Sequence, residues 1–267
     1  MNTVLVAALA AAAPLLNPAE QAMYSGNFKQ AYALIDTSMQ AKPDAQQRFD
    51  LLMLRVRTQQ NARLSGVAAA DEPATVKALL AEAKGLPAEQ QAQARHAELV
   101  STYFRRLTGA DKGDFMSLQP AFASVAQQLK DPCRKADALF FSGLMYQVSD
   151  KVPASEPDLN KAFETATAAG CRLELSYVVR HLGEVGEAKG DMAGAARYAQ
   201  QSLDIRRQIR FDVFVPYSLL QTAAVAQKRG DAAKAAANRK EALGMAQRLH
   251  LPAQEQAALN AIAAGAK

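Results

Sequence analysis

VRHLGEVGEAKGDMAGAARYAQQSL, residues 179–203, carries apolar side chains at helical spacing on both sides of Gly190-Asp191. A closely similar stretch, LLQTAAVAQKRGDAAKAAANRKEAL, follows at residues 219–243. In both copies the glycine permits a positive backbone angle, and the aspartate can cap the helix that follows. Small residues at positions 183, 195, 223 and 235 let two helix backbones approach closely. The repeated stretch therefore predicts two consecutive helical hairpins.

The same rhythm continues along the C-terminal part of the chain. Helix starts are predicted near residues 171, 191, 211, 231 and 251. A period of about 40 residues is typical of stacked helical units, none of which can bury its apolar face alone. No shift in composition marks a domain boundary, so we expect residues 17–267 to form one all-α domain.

Nearer the N-terminus, the spacing of apolar residues predicts further helices. They are expected at residues 17–24, 28–39, 45–64, 75–84, 88–107, 115–129, 132–146 and 159–169. Pro120 is expected to kink or delay the helix in which it lies. The polar connection SDKVPASEP, residues 149–157, is the longest of its kind and is predicted to leave the helical scaffold.

These units resemble tetratricopeptide repeats. Leu182-Gly183 match the Leu-Gly position of the repeat, Gly190-Asp191 its turn, and Ala195 the alanine of close helix contact. The period of about 40 residues instead of 34 resembles an extended subtype of the repeat. The first aromatic and the terminal proline of the family's pattern are not reproduced. The resemblance implies a right-handed α-α superhelix, a solenoid of antiparallel helix pairs.

The resemblance also implies where a partner would bind, since such arrays usually act through the groove lined by the first helix of each pair. Carried over to this chain, the partner-binding residues are Phe140, Gln147, Tyr177, Arg180, Glu184, Tyr217, Leu220 and Lys228, with Asp137, Leu144, Glu187 and Gln227 at further groove positions. Tyrosine and arginine commonly anchor protein interfaces. The alternative is that the tyrosines merely cover the seams between helices.

No motif of catalysis or cofactor binding is found in the sequence. Three histidines, His96, His181 and His250, lie in separate units with no evident carboxylate or cysteine partner, and are expected to be structural. We therefore expect a non-enzymatic scaffold, without cofactor or metal, that binds a peptide or protein. The alternative is a sensory or regulatory module that binds a small ligand or a signal peptide.

The net charge of +5 does not by itself indicate nucleic acid binding. Basic residues are spread over the whole chain, whereas nucleic-acid binders usually concentrate them in a patch or arm. The tightest group, Arg206, Arg207 and Arg210, falls late in a predicted helix, where cations complement the helix dipole. We interpret this group as a solvated helix end and expect no nucleic-acid partner.

The N-terminal residues 1–16 contain a short apolar run, VLVAALAAAAPLL, at positions 4–16. Its length is typical of a signal-peptide core and too short to span a bilayer, so no integral membrane segment is expected in the mature chain. No Lys or Arg precedes the run, which leaves a packed N-terminal helix as the alternative. A bacterial periplasmic or secreted protein is predicted if the run is a signal peptide, and a cytoplasmic one otherwise.

Two cysteines, Cys133 and Cys171, begin predicted helices in consecutive units. Strictly equivalent positions on neighbouring helices would lie about 8–10 Å apart, too far for a disulfide. The two positions are offset from each other within their units, so the side chains could face one another. A disulfide is a candidate pairing if the chain is exported, and free thiols are expected otherwise.

Overall fold

The computed structural model of the protein describes residues 17–69 and 71–265. Within these ranges the chain forms thirteen α-helices, three 3-10 helices and no β-strand. The α-helices are α1 (Pro18–Tyr24), α2 (Phe28–Gln40), α3 (Ala45–Leu64), α4 (Glu72–Ala83), α5 (Ala88–Leu107), α6 (Gln119–Gln128), α7 (Pro132–Gln147), α8 (Glu156–Ala169), α9 (Arg172–Ala188), α10 (Met192–Gln208), α11 (Val215–Lys228), α12 (Ala232–Arg248) and α13 (Pro252–Gly265). The 3-10 helices are Phe115–Leu118, Val152–Ser155 and Asp212–Phe214. The all-α prediction is confirmed.

The helix termini follow from local chemistry that the sequence displays. Gly190 and Gly230 have φ angles of +79° and +81° at the turns inside the two C-terminal hairpins. The aspartate that follows each glycine accepts a hydrogen bond from a backbone N–H in the first turn of the next helix. In the N-terminal half, Asp44 and Gln47 form a reciprocal capping box at the start of α3. The predicted turn chemistry is confirmed.

One connection differs from its prediction. Residues 149–157 do not leave the scaffold, because they form a 3-10 helix and the start of α8. Ser155 is buried, and its hydroxyl accepts a hydrogen bond from Gln147 Nε2 at 3.1 Å. A Cβ on Gly143 would lie 3.2 Å from the Ser155 carbonyl oxygen, so the glycine admits this segment against α7. The segment therefore packs on the scaffold through Ser155, while Asp150, Lys151 and Pro157 remain exposed.

The helices are arranged in an inner and an outer layer. Each helix packs against the next one along the chain, and α3, α5, α7 and α9 also contact one another in succession. These helices and α11 form the inner, concave layer. The interior is rich in alanine, including Ala195 and Ala235, which are fully buried between paired helices. The fold is therefore an α-solenoid whose first helices line a common concave surface.

The two ends of this solenoid meet, which the sequence did not predict. The Ala253 backbone N–H donates to the Ser65 carbonyl oxygen at 3.1 Å, and Gln254 Nε2 donates to Ser65 Oγ at the same distance. Gly66 has a φ of +70°, and a Cβ there would lie 3.0 Å from the Ala253 nitrogen. Tyr24 and Phe211 add an aromatic contact, with ring centroids 4.6 Å apart. These contacts close the concave surface into a ring.

None of the helices in the described ranges has both the length and the apolarity needed to cross a bilayer. The apolar run at positions 4–16, with its two interpretations, lies outside the described residues.

Candidate functional site

A pocket of about 340 Å³ lies at the centre of the ring, between α3, α5, α7, α9 and α11. Its walls combine two kinds of side chain, aromatic rings and ionisable groups. The rings belong to Tyr103, Phe104, Phe140, Phe141, Tyr177, Phe214 and Tyr217. The ionisable groups belong to Arg57, Arg134, Arg180, Arg206, Asp137 and Glu174. The pocket is therefore suited to a ligand with both an apolar and a charged part.

The aromatic rings form a continuous wall across three repeat units. Phe140 stacks on Tyr177 at a centroid distance of 5.8 Å, and Tyr177 meets Phe214 edge-on at 5.9 Å. Phe214 in turn contacts Tyr217 at 5.8 Å. The Tyr217 hydroxyl donates to the Leu64 carbonyl oxygen at 3.0 Å, which ties α11 to the end of α3. Burial raises the pKa of Tyr177, so its hydroxyl remains neutral.

Arg206 reaches this wall from the end of α10, and the structure corrects its predicted role. It is 1% exposed, so it is not part of a solvated helix end, although Arg207 and Arg210 are exposed as predicted. Its Nη1 donates to the Phe214 carbonyl oxygen at 3.1 Å and to Ser218 Oγ at 2.8 Å. Burial, together with the nearby charge of Arg180, lowers the pKa of Arg206 to about 9. Arg206 faces inward because it lies one helical turn from the buried Leu203 and Ile209.

A second charged group lies at another part of the pocket and consists of Arg57, Arg134, Asp137 and Glu174. Burial raises the pKa of both carboxyl groups, Asp137 and Glu174, while the two arginines oppose that effect. The charge of Arg57 lowers the pKa of Arg134. No direct ion pair joins these four side chains, all of which belong to the described residues. Two arginines and two carboxyl groups thus face the pocket in one group.

The pocket residue His181 has partners that the sequence did not show. His181 Nδ1 lies 2.6 Å from Gln147 Oε1 and 3.0 Å from Glu184 Oε2, so the expectation of a histidine without a carboxylate partner is wrong. Arg180 Nη2 also pairs with Glu184, at 3.0 Å. Burial acts to raise the pKa of Glu184, but His181 and Arg180 outweigh it and hold this pKa below its usual range.

His96 has a different environment. It is buried, and its Nδ1 lies 3.9 Å from Asp137 Oδ2. Burial and the charges of Arg134 and Arg57 lower the pKa of His96 to about 3, which keeps the ring neutral. Neither His96 nor His181 is hydrogen-bonded to a serine, threonine or cysteine side chain within the described ranges.

The predicted groove residues do not all reach the pocket. Phe140, Tyr177, Arg180 and Tyr217 line it, as do the further groove residues Asp137 and Leu144. Gln147 and Glu184 do not line the pocket, and both contact His181. Leu220 packs in a separate apolar cluster with Leu203 and Leu219. Lys228 is exposed and pairs with Glu187. That any of these residues contacts a partner stays a prediction.

Sequence reasoning missed Arg57, Arg134 and Arg206 as pocket residues. Each lies in a helix, where a charged side chain is ordinarily assigned to the solvated face. The available signal was apolar spacing, because Arg57 follows Met53 and Val56, and Arg206 lies between Leu203 and Ile209. This pattern places an arginine on the buried stripe of its helix.

Cys133 and Cys171 are joined by a disulfide in the structure, with their Cα atoms 5.3 Å apart. The bond links the starts of α7 and α9, beside the pocket residue Glu174. These three residues are also the one group within the described chain that is spaced closely enough to hold a metal ion. Both sulfur atoms are used in the disulfide, so the group offers no free thiolate as a ligand.

Comparison with known proteins identifies solved structures with a similar fold. No family model matches the chain, and no curated protein matches its sequence. Among solved structures it is similar to a Rap protein complexed with competence and sporulation factor, with a TM-score of 0.65 and 11% identity over 91% of this chain and 68% of the other. It is also similar to a signal transduction ATPase with numerous domains that carries a tetratricopeptide repeat sensor, from Pyrococcus horikoshii. That match has a TM-score of 0.65 and 16% identity, and covers 91% of this chain but 37% of the other.

A third similar structure is BtubC from P. vanneervenii, with a TM-score of 0.53 and 13% identity over 88% of this chain and 93% of the other. Identities this low establish the fold alone. The chain is a tetratricopeptide-like helical-repeat protein, and the predicted resemblance is confirmed at that level.

Proposed function

We propose that this protein is a non-enzymatic binding module that captures a short peptide segment in its central pocket. The observation that carries the proposal is the closure of the concave surface around a pocket lined by aromatic rings and arginines. Aromatic and arginine side chains are the types that most often dominate binding energy at protein interfaces. The groove expected from the sequence becomes, in this proposal, a pocket with a limited volume.

The size of the pocket argues for a short segment and against a folded partner. Its volume of about 340 Å³ lies near the lower end of the range of about 300–1,000 Å³ for small-ligand sites. A specific complex with a folded protein typically covers about 800 Å² on each partner. The aromatic rings and buried arginines lie inside the pocket, where a folded partner of that size does not fit.

Two structural neighbours support a role in detecting a ligand. The Rap protein is complexed with competence and sporulation factor, and the signal transduction ATPase carries a tetratricopeptide repeat sensor. Both have folds similar to that of the present chain, although their sequences share little identity with it. The second candidate function is therefore a sensor of a small molecule, favoured by the enclosure of the pocket through the contact between Ser65 and Gln254.

Filling the pocket tests the proposal directly. Ala97 lines the pocket on α5, so Ala97→Phe should occupy part of its volume, with Val100→Phe as a second variant from the same helix. Ala224→Phe places the same side chain on the exposed side of α11 and serves as the matched control. Random heptapeptides displayed on phage should be enriched on the wild type and on Ala224→Phe, but not on the pocket-filled variants that keep their helical circular dichroism.

Enrichment that is unaffected by pocket filling would place the binding surface elsewhere and overturn the proposal. If no peptide is enriched, the peptide assignment fails. Thermal stabilisation by members of a metabolite library, lost in Ala97→Phe, would then support the small-molecule sensor.

We propose in addition that the protein resides in an oxidising compartment, such as the bacterial periplasm. The Cys133–Cys171 disulfide supports this location, because such bonds persist outside the reducing cytosol. Alkylation of thiols in the protein from its native cells, followed by intact-mass spectrometry, tests both the bond and the N-terminus. Two alkylated cysteines would contradict the proposed location.

A further inference from the structure

One buried cation at the aromatic wall has only neutral hydrogen-bond acceptors. Arg206 is 1% exposed, and the hydrogen bonds from its Nη1 go to two neutral oxygens, those of Phe214 and Ser218. Its Nε has no hydrogen-bond partner. The guanidinium lies 5.5 Å from the ring centroids of Tyr177 and Phe214, at the aromatic wall. Contact with two rings stabilises the cation only in part.

Arg206 differs in its surroundings from the other pocket arginines. Arg180 pairs with Glu184, and Arg57 and Arg134 lie in one group with the carboxyl groups of Asp137 and Glu174. No carboxylate pairs with Arg206 in the described part of the chain. Burying an unpaired charge ordinarily costs several kcal/mol, so it is unusual for a group whose role is only structural. A positive charge without a neighbouring carboxyl group therefore lies at the aromatic wall.

We propose that the pocket binds an organic monoanion, a carboxylate attached to an apolar or aromatic body, with Arg206 as the residue that supplies the opposite charge. This inference rests on the proposed function and names the chemistry of its ligand. The carboxylate lies beside Tyr177 and Phe214 and accepts hydrogen bonds from the guanidinium. The apolar body packs along the ring wall toward Phe140. A guanidinium set beside aromatic rings matches a carboxylate on an apolar body, because the charge and the apolar part each meet a counterpart.

Two kinds of ligand offer a carboxylate on an apolar body. A peptide offers its C-terminal carboxylate, and a small carboxylic acid offers the same group on a shorter body. Both place one negative charge at the end of an apolar part, and the pocket volume accommodates the end of a peptide or a whole small acid. The experiment therefore includes probes of both kinds, each with a neutral amide of nearly the same shape.

The side-chain Nε–H resonance of Arg206 reports on the proposed contact, because this donor lacks a partner in the ligand-free protein. We would assign it in ¹⁵N-labelled protein by its loss in Arg206→Lys. Acetate, octanoate and a pentapeptide with a free C-terminal leucine would be titrated, alongside acetamide, octanamide and the amidated peptide. Octanoate should shift the resonance saturably, acetate should do so more weakly, and the amides should leave it in place.

Affinity provides the second measurement. Removing the charge in Arg206→Met should weaken octanoate binding about tenfold or more, as expected for a hydrogen bond to a charged group. Arg207→Met is the matched control, because Arg207 is the next residue and pairs with Glu241 on the exposed surface. If Arg206→Met does not fold, the wild-type titration still decides the question.

Each outcome bears on a distinct claim. An Arg206 resonance that no carboxylate moves, while octanamide shifts the ring resonances of Phe140 and Tyr177, overturns the anion proposal and leaves the pocket as a binding site. Equal affinity of octanoate and octanamide does the same. A response to octanoate without one to the free-acid peptide supports the anion proposal with a small acid as its source, and contradicts peptide capture.

Discussion

The concave and convex surfaces of this solenoid place neighbouring arginines of one helix in different environments. On the convex side, Arg207 of α10 pairs with Glu241 of α12 at the surface. On the concave side Arg206 is buried without a carboxylate. Arg206 and Arg207 are neighbours in the sequence, and a rotation of about 100° around the α10 axis separates their environments. The direction that a side chain takes from its helix, and not its type, therefore decides whether its charge is solvated or directed into the pocket.

The difference between the surfaces also concerns apolar side chains. Outside the pocket, Leu259 of α13 is an isolated apolar residue with 43% exposure, whereas the concave side joins its rings into one wall. Isolated exposed apolar residues are ordinary on protein surfaces. The continuous wall concentrates both packing energy and binding capacity on the inner layer. Four experiments test how far the two surfaces differ.

The largest effect is expected from Phe140→Ala. Phe140 is buried and contacts Tyr177, Phe141 and His181, so its removal should lower the free energy of unfolding by about 3–5 kcal/mol. Urea denaturation measures the change. Leu259→Ala on the outer surface should change stability by about 0.5 kcal/mol or less. Similar losses from the two variants would show that the ring wall adds nothing beyond surface packing.

Removal of the disulfide should have the next largest effect. The bond joins two inner helices across 38 residues, and closing a loop of this size stabilises a fold by about 3–4 kcal/mol. A double replacement, Cys133→Ser with Cys171→Ser, should lower the denaturation midpoint accordingly. A reducing agent should destabilise the wild type and leave the double variant unchanged. A wild type that is insensitive to full reduction would contradict a structural role for the bond.

Gly66→Ala tests the contact that closes the ring. Gly66 and Gly190 both have positive φ angles, but only Gly66 faces a neighbour, the Ala253 nitrogen. Gly190→Ala should cost about 1–2 kcal/mol from the backbone conformation alone. Gly66→Ala should cost about 2–4 kcal/mol, because steric overlap adds to that strain. Thermal unfolding of both variants gives the difference. Equal losses would mean that the two ends separate at no cost.

The smallest effect is expected for the outer ion pair. Arg207→Met removes the exposed pair with Glu241, which should change the free energy of unfolding by about 0.5 kcal/mol or less. Because salt screens exposed charges, this small difference should vanish in about 1 M sodium chloride. A larger loss that persists at high salt would show that the outer charges contribute to the fold as the inner ones do.

Much of the architecture could be predicted from local patterns. The bounds of α3 and α5 agree with their predicted spans, and Gly190 and Gly230 turn the chain as expected. Residues 149–157 show where this reasoning fails. Their prolines and charges are typical of a loop, but Gly143 leaves room for the segment to pack on α7. Composition reports polarity and not whether polar groups find partners inside the fold.

The site could be predicted only in outline. Phe140, Tyr177, Arg180 and Tyr217 line the pocket, and their contact with a partner stays a prediction. Leu220 and Lys228 do not line it, because Leu220 packs in another apolar cluster and Lys228 pairs with Glu187. The charges at Arg57, Arg134 and Arg206 were missed, because a single arginine on a helix is equally compatible with an exposed position.

The sequence by itself determined the repeating hairpin. This hairpin depends on local properties, namely helical periodicity, glycine turns, aspartate caps and small residues at the helix contacts. Only the tertiary structure decided that the ends meet at Ser65 and Gln254, 189 residues apart, and that the groove is thereby enclosed. The small rotation between successive units accumulates along a solenoid, so its closure depends on every unit together. The burial of Arg206 follows from the same arrangement, because α10 places the guanidinium at a ring wall built by three separate units.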